Sequence, residues 1–266
     1  MSRIAGVLLL AAATLLGAAS CRDGRRAAAK GTLIVGMELS YPPFEMTDEN
    51  GAPKGISVEL ASELGKFLGK RIVIQNMAFD GLIPALKSGK IDLILSSMTI
   101  TDERRRSVDF SDPYLTTGLC LLVAKGSRVN SIADLDKAGI TVAVKKGTTG
   151  HSFAAGNIRN ARLLVLDREA AAVLEVVQGK ADAFIYDQMS TYRNWQRNRD
   201  TTRALLNPFQ VEQWGIALRK GDGQLKGEIN RFLGSFRSRG GFERLGDIYL
   251  GEQKEAFREQ GIPFLF

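Results

Sequence analysis

One hydrophobic run that ends in hydroxyl side chains constrains this chain more than any other feature. From Phe79 to Tyr114 it reads FDGLIPALKSGKIDLILSSMTITDERRRSVDFSDPY. Leu82, Ile83, Ala85 and Leu86 mark one face of a short helix that Gly89 ends. Ile91, Leu93, Ile94 and Leu95 then read as a buried strand. That strand runs directly into Ser96, Ser97, Met98, Thr99 and Thr101. In an open α/β sheet this is the carboxyl edge, where ligands bind. Arg104 follows, with a planar fork suited to a bidentate grip on a carboxylate. The arrangement suits a small carboxylic acid.

Strand and helix alternate around this segment. Thr32–Met37 reads as a strand, Ile56–Leu68 as a helix with apolar Val58, Ala61, Leu64 and Leu68, and Arg71–Met77 as a second strand. The paired prolines of Tyr41-Pro42-Pro43-Phe44 force a loop between them. This order argues for βαβ units and a parallel sheet. A second α/β pattern starts after Lys125-Gly126-Ser127. It has a short helix at Ile132 with Ser131 as N-cap, a strand over Thr141–Val144, a helix over Thr148–Ala155, a strand over Arg162–Leu166, a helix over Glu169–Gln178 and a strand over Ala183–Tyr186. Trp214–Lys220 reads as one more strand, and helices from about Gln224 and over Gly241–Tyr249 close the chain.

Length, charge and cysteines narrow the field. The 266 residues, 44% of them apolar, suffice for one large or two modest domains. The net charge of +7 is spread along the chain, and the basic run Arg104–Arg106 lacks interleaved aromatics, so nucleic-acid binding is not expected. Arg3, the apolar Ile4–Leu16 and the small residues Gly17–Ser20 have the form of an export signal over residues 1–20. Cys21 follows Ala18-Ala19-Ser20, which resembles a bacterial lipobox with alanine where leucine is usual. Lipidation of Cys21 is expected, the alternative being a plain secretory signal cleaved nearby. Residues 21–30 then form a tether. Cys120, among leucines, is expected in the core, with no disulfide. A lone His151 without a nearby Cys/Asp/Glu cluster gives no metal signature, and no cofactor is expected.

YPPFE, GLIPALKSGKID, SSMTITDERR, VDFSDPY, VAVKKGTT, GKADAFIYD and WGIALRKGD occur in an order that resembles the periplasmic amino-acid-binding proteins of ABC importers, from Gly31 to the C-terminus. The resemblance implies a two-lobed type II periplasmic binding protein. Each lobe would be a mostly parallel sheet flanked by helices. Lobe one would comprise about 31–123 plus 214–266 and lobe two 124–213, with hinge crossings near Val123 and Val211.

The resemblance also implies roles, each with a blander alternative. Arg104 would pair with a ligand α-carboxylate, or be a solvated member of its basic run. Thr99, Ser97 and Ser96 would support that end of the ligand, or merely cap a turn. Thr149, at a helix start after Gly147-Thr148, would touch the carboxylate from lobe two. Asp187 would receive the α-ammonium, whereas Asp182 reads as structural. Tyr41 and Phe79 would flank the ligand side chain. Glu38 stands where cationic amino-acid binders carry an acid, and could equally be a surface charge. Lys145 and Tyr186 would line the same region, and Lys145 would instead favour a neutral or acidic guest.

These expectations lead to a monomeric, lipid-tethered receptor that passes a polar, cationic L-amino acid to an ABC permease without altering it. Two alternatives stand beside it: an enzyme like cyclohexadienyl dehydratase on the same scaffold, and a sensory partner of a membrane receptor. The enzyme would need a buried general-acid glutamate, and none stands between Gly179 and Trp195.

Overall fold

In a computed structural model of the full chain, residues 31–259 and Gly261 are described. The proposed export signal, Cys21 and the tether lie outside the described residues. The elements are β1 (Thr32–Met37), a small hairpin β2 (Met46–Thr47) and β3 (Pro53–Lys54), α1 (Ile56–Leu68), β4 (Arg71–Asn76), α2 (Leu82–Lys87), β5 (Leu93–Ile94), α3 (Asp102–Ser107) and β6 (Val108–Phe110). Then come β7 (Leu115–Ala124), β8 (Thr141–Lys145), α4 (Thr149–Asn157), β9 (Arg162–Leu166), α5 (Glu169–Val177), β10 (Ala183–Asp187) and α6 (Gln188–Arg197). The chain closes with β11 (Thr202–Trp214), β12 (Ala217–Arg219), α7 (Gly223–Ser238) and α8 (Gly241–Glu259).

Two five-stranded sheets result, ordered β4-β1-β5-β12-β6 and β11-β7-β10-β8-β9. In each, three parallel strands are followed by an antiparallel one and then a fifth that restores the common direction. The mostly parallel character read from the sequence is therefore present in both sheets.

Both sheets use one local device. GKID and GKAD each follow a helix, with Gly89 at φ 76° and Gly179 at φ 68°, left-handed values that glycine adopts without strain. The aspartate after each turn reaches back to the neighbouring strand. Asp92 accepts the Ile34 N–H at 2.9 Å, and Asp182 accepts the Thr141 N–H at 2.8 Å. Asp182 also takes the Ser127 hydroxyl, which gives it the structural place expected.

The chain crosses between sheets at other points than the sequence suggested, the first crossing earlier and the second later. Leu115–Ala124 belongs wholly to the second sheet, paired with β10 and β11. The crossings therefore lie between Phe110 and Leu115 and between Trp214 and Ala217, not near Val123 and Val211. The apolar LTTGLCLLVA run hid this, because a strand buried on both faces looks the same in either sheet. The long β11 escaped detection because Pro208 and polar residues interrupt it, and its register shifts between Leu205 and Gln210. Helix α6 was also missed. It buries Gln188, Ser190, Thr191 and Asn194, so no apolar period announces it. Cys120 is buried, its thiol near the Leu206 carbonyl.

The proline loop is locked onto the start of α1. Ile56 N–H donates to the Pro43 carbonyl and Ser57 N–H to the Phe44 carbonyl. The loop lies so close that a Cβ on Gly55, at φ 122°, would stand 2.4 Å from the Phe44 oxygen. Gly55→Ala is expected to lower unfolding stability by about 1–3 kcal/mol. Chemical denaturation checks this, and an unchanged midpoint contradicts the packing described.

Candidate functional site

The carboxyl ends of β1, β5, β8 and β10 converge on one narrow cleft between the sheets. Its lining contains Glu38, Tyr41, Phe79, Ser96, Ser97, Thr99, Arg104, Lys145, Thr149, Tyr186 and Asp187, so every residue singled out as ligand-binding reaches it. Glu45, Leu119, Thr148, Gly150, Glu212 and Trp214 complete the wall.

Arg104 sits in the first turn of α3, whose N-cap Thr101 accepts its N–H. Its guanidinium donates to the Thr99 carbonyl at 2.6 Å and, across the cleft, to the Gly147 carbonyl at 3.0 Å. It also lies 5.5 Å from the Phe79 ring centre. Burial pushes its pKa down to about 10, while Glu212 and Glu103 favour the charge. It remains a cation at neutral pH.

Asp187 lines the same cleft from the other lobe. It ends β10 and caps α6, accepting the Ser190 N–H at 3.0 Å. Burial is the main reason its carboxyl is raised to about 6; the nearby Tyr41 hydroxyl and the Ser190 N–H oppose the rise. The Tyr41 ring is itself buried, stacked on Phe44 at 5.5 Å and edge-on to Tyr186 and Trp214, each at 6.0 Å. Tyr41 is thus one wall of an aromatic cluster.

The hydroxyls after β5 do something the sequence did not show. Ser96 accepts the Glu38 N–H and donates to Glu45, and Ser97 donates to the other Glu45 oxygen at 3.1 Å. Ser57 bonds that same oxygen at 2.6 Å. Ser97 adopts φ 48°, a left-handed value uncommon outside glycine, and its bond to Glu45 helps hold it there. Glu45 thus ties the proline loop, α1 and the strand end together. Its place in YPPFE was visible, but its burial was not. Burial raises it from an ordinary 4.5 to about 8, against the lowering effect of the serines.

Glu212 was also missed, because β11 was. Its carboxylate accepts the hydroxyl of Thr99 at 2.9 Å and that of Thr149 at 2.9 Å, and its other oxygen accepts the Gln210 amide. At the far end Lys145, fully buried, pairs with Glu38 across the cleft and lies 5.4 Å from the Phe79 ring centre. Outside this rim Lys146 pairs with Asp80 at 2.9 Å. His151 lies in α4, with its N–H on Thr148. Among the described residues no His/Cys/Asp/Glu group is arranged to hold a metal, and no helix is long and apolar enough to cross a membrane.

Two α/β lobes joined by two crossings, with a polar cleft at the carboxyl ends of both sheets, define a type II periplasmic binding protein. The sequence matches the bacterial extracellular solute-binding proteins, family 3, over residues 33–252, and the chain belongs to that family. It is 30% identical to the L-cystine-binding protein TcyJ of Escherichia coli, over 84% of each chain. It is 33% identical to the L-arginine-binding protein of Pseudomonas aeruginosa, over 81% of this chain and 86% of that one. Among solved structures, a mutant of the arginine-binding protein of T. maritima superposes with a TM-score of 0.78 at 38% identity, covering 84% of this chain and 96% of that one. An ancestral amino-acid-binding protein described as a precursor of cyclohexadienyl dehydratase gives 0.76 at 36% identity, covering 83% and 96%.

The Glu45 environment predicts a stability profile. The folded carboxyl stays protonated up to about pH 8, whereas the unfolded one ionises near 4.5. The folded state therefore binds the extra proton between those values, and stability falls as pH rises through that window. Glu45→Gln, with nothing to ionise, should flatten this fall and be the more stable protein above pH 8. Urea unfolding at pH 5 and pH 9 checks this, and parallel profiles for both proteins contradict it.

Proposed function

We propose that this protein is an extracytoplasmic receptor that holds a cationic L-amino acid, of the arginine or lysine type, between its lobes and delivers it to an ABC permease. The observation that carries the charge preference is the balance of the cleft wall. Four carboxyl groups line it, Glu38, Glu45, Asp187 and Glu212, against two cations, Arg104 and Lys145. With Glu45 protonated at neutral pH, three anions face two cations, and a guest of net charge +1 neutralises the site. Arg104 takes the α-carboxylate, Asp187 the α-ammonium, and Phe79 and the Tyr41 cluster the side-chain stem. The distal cation reaches Glu38, where it competes with Lys145. The P. aeruginosa relative is named for arginine, and a solute-binding structure from Wolinella succinogenes holds lysine, which supports the same class of guest. Tethering through Cys21 and action as a monomer complete the reading.

One observation favours a second reading. Glu45 is a neutral carboxyl on the cleft wall, the ionisation a general acid needs. Its oxygens are, however, engaged by Ser57, Ser96 and Ser97, which suits a structural tie better than proton transfer to a guest.

Thermal unfolding of residues 22–266 against L-amino acids tests the proposal. Arginine, lysine or ornithine at a hundred times its dissociation constant should add about 2.7 kcal/mol. Binding should weaken about tenfold per pH unit below about 6, as Asp187 gains a proton and loses its hold on the ammonium. Asp187→Asn should bind weakly at every pH. A response confined to acidic or neutral amino acids overturns the cationic assignment, and silence across the panel together with prephenate turnover selects the enzyme.

A further inference from the structure

Glu212 stands where a ligand carboxylate is expected to make its bonds. A hydroxyl has a single proton to donate. Thr99 and Thr149 both commit theirs to one oxygen of Glu212. While they do so, each presents only lone pairs to the cleft, the wrong polarity for an α-carboxylate. The charge of Arg104 also interacts with Glu212, so the same side chain acts on three of the groups assigned to the carboxylate end, Arg104, Thr99 and Thr149. Glu212 is buried, lies on β11 just before the crossing at Trp214, and is fixed from behind by Gln210.

We propose that Glu212 is an internal competitor for the ligand's carboxylate subsite. It occupies the hydroxyls of Thr99 and Thr149 with its own carboxylate, and an incoming carboxylate must take those protons from it. Two carboxylates beside one guanidinium repel each other, so Glu212 lowers the affinity for any guest that carries an α-carboxylate. It thereby sets how tightly the receptor holds its cargo, and a receptor that must release cargo gains from a weakened grip. The inference rests on the amino-acid reading, because it requires a carboxylate at Arg104.

The test compares Glu212→Gln with the unaltered protein in calorimetric titrations. The guests are the amino acid that stabilises the protein most and the α-amide of that amino acid. Glutamine keeps the size of the side chain and an oxygen for the two hydroxyls while removing the charge. Because Glu212 is also one of the anions that attract a cationic guest, its loss weakens that attraction for both guests, and the expected result is a roughly tenfold gain for the amino acid relative to its amide. Glu212→Asp, which keeps the charge but draws it back from the threonines, should show a smaller gain. Equal losses for amino acid and amide would make Glu212 a structural strut and overturn the proposal, as would unchanged affinity for both. If the variant unfolds at low temperature, Glu212→Asp alone decides, and a weaker grip on the amino acid than on the amide overturns the proposal. Absence of amino-acid binding by the unaltered protein overturns the receptor reading and this inference together. Binding by the unaltered protein without a selective gain overturns this inference alone.

Discussion

Arg104, half-buried, and Asp187, buried, are opposite charges on different lobes, each oriented by neutral dipoles. Two backbone carbonyls orient the guanidinium, and the start of a helix orients the carboxylate. Dipoles of this kind fix direction and ease the burial of a charge without cancelling it. The fold supplies what this requires. Each sheet ends its parallel strands at the cleft, so the charges need no long or flexible arm to reach it. In the proposed function, a zwitterion completes both charges at once and does so only when the lobes meet, so its differential affinity draws them together.

The two lobes solve the same folding problem with the same parts. The GKID and GKAD turns, their left-handed glycines and their strand-bridging aspartates recur at equivalent points. What differs is the chemistry set on each edge. Lobe one offers serines organised around Glu45, and lobe two offers Lys145, Thr149 and Asp187. The cleft is therefore an assembly of two edges, and its layered glutamates have distinct work. Glu45 holds the frame, Glu38 faces Lys145, and Glu212 sits between the threonines.

Much of this was legible in the sequence because it follows from local pattern. The limits of α1 and the strand β1 match the periodicity read for them, and the glycine after α2 ends it as expected. Each residue assigned by family resemblance lies on the cleft wall. What stayed hidden depends on tertiary pairing. Pro208 and the register shift masked β11, and with it Glu212; the polar interior of α6 masked a buried helix; and a doubly buried β7 gave no sign of its sheet. The carboxyl partner of Ser96 and Ser97 could not be read either, since Glu45 comes 51 and 52 residues earlier.

The most direct test of the account is a crystal structure of the protein grown with the amino acid that stabilises it most. The account predicts the α-carboxylate against Arg104 and the α-ammonium against Asp187, with both lobes in contact with one guest. A guest held by one lobe alone, or one turned so that its ammonium faces Arg104, would contradict it.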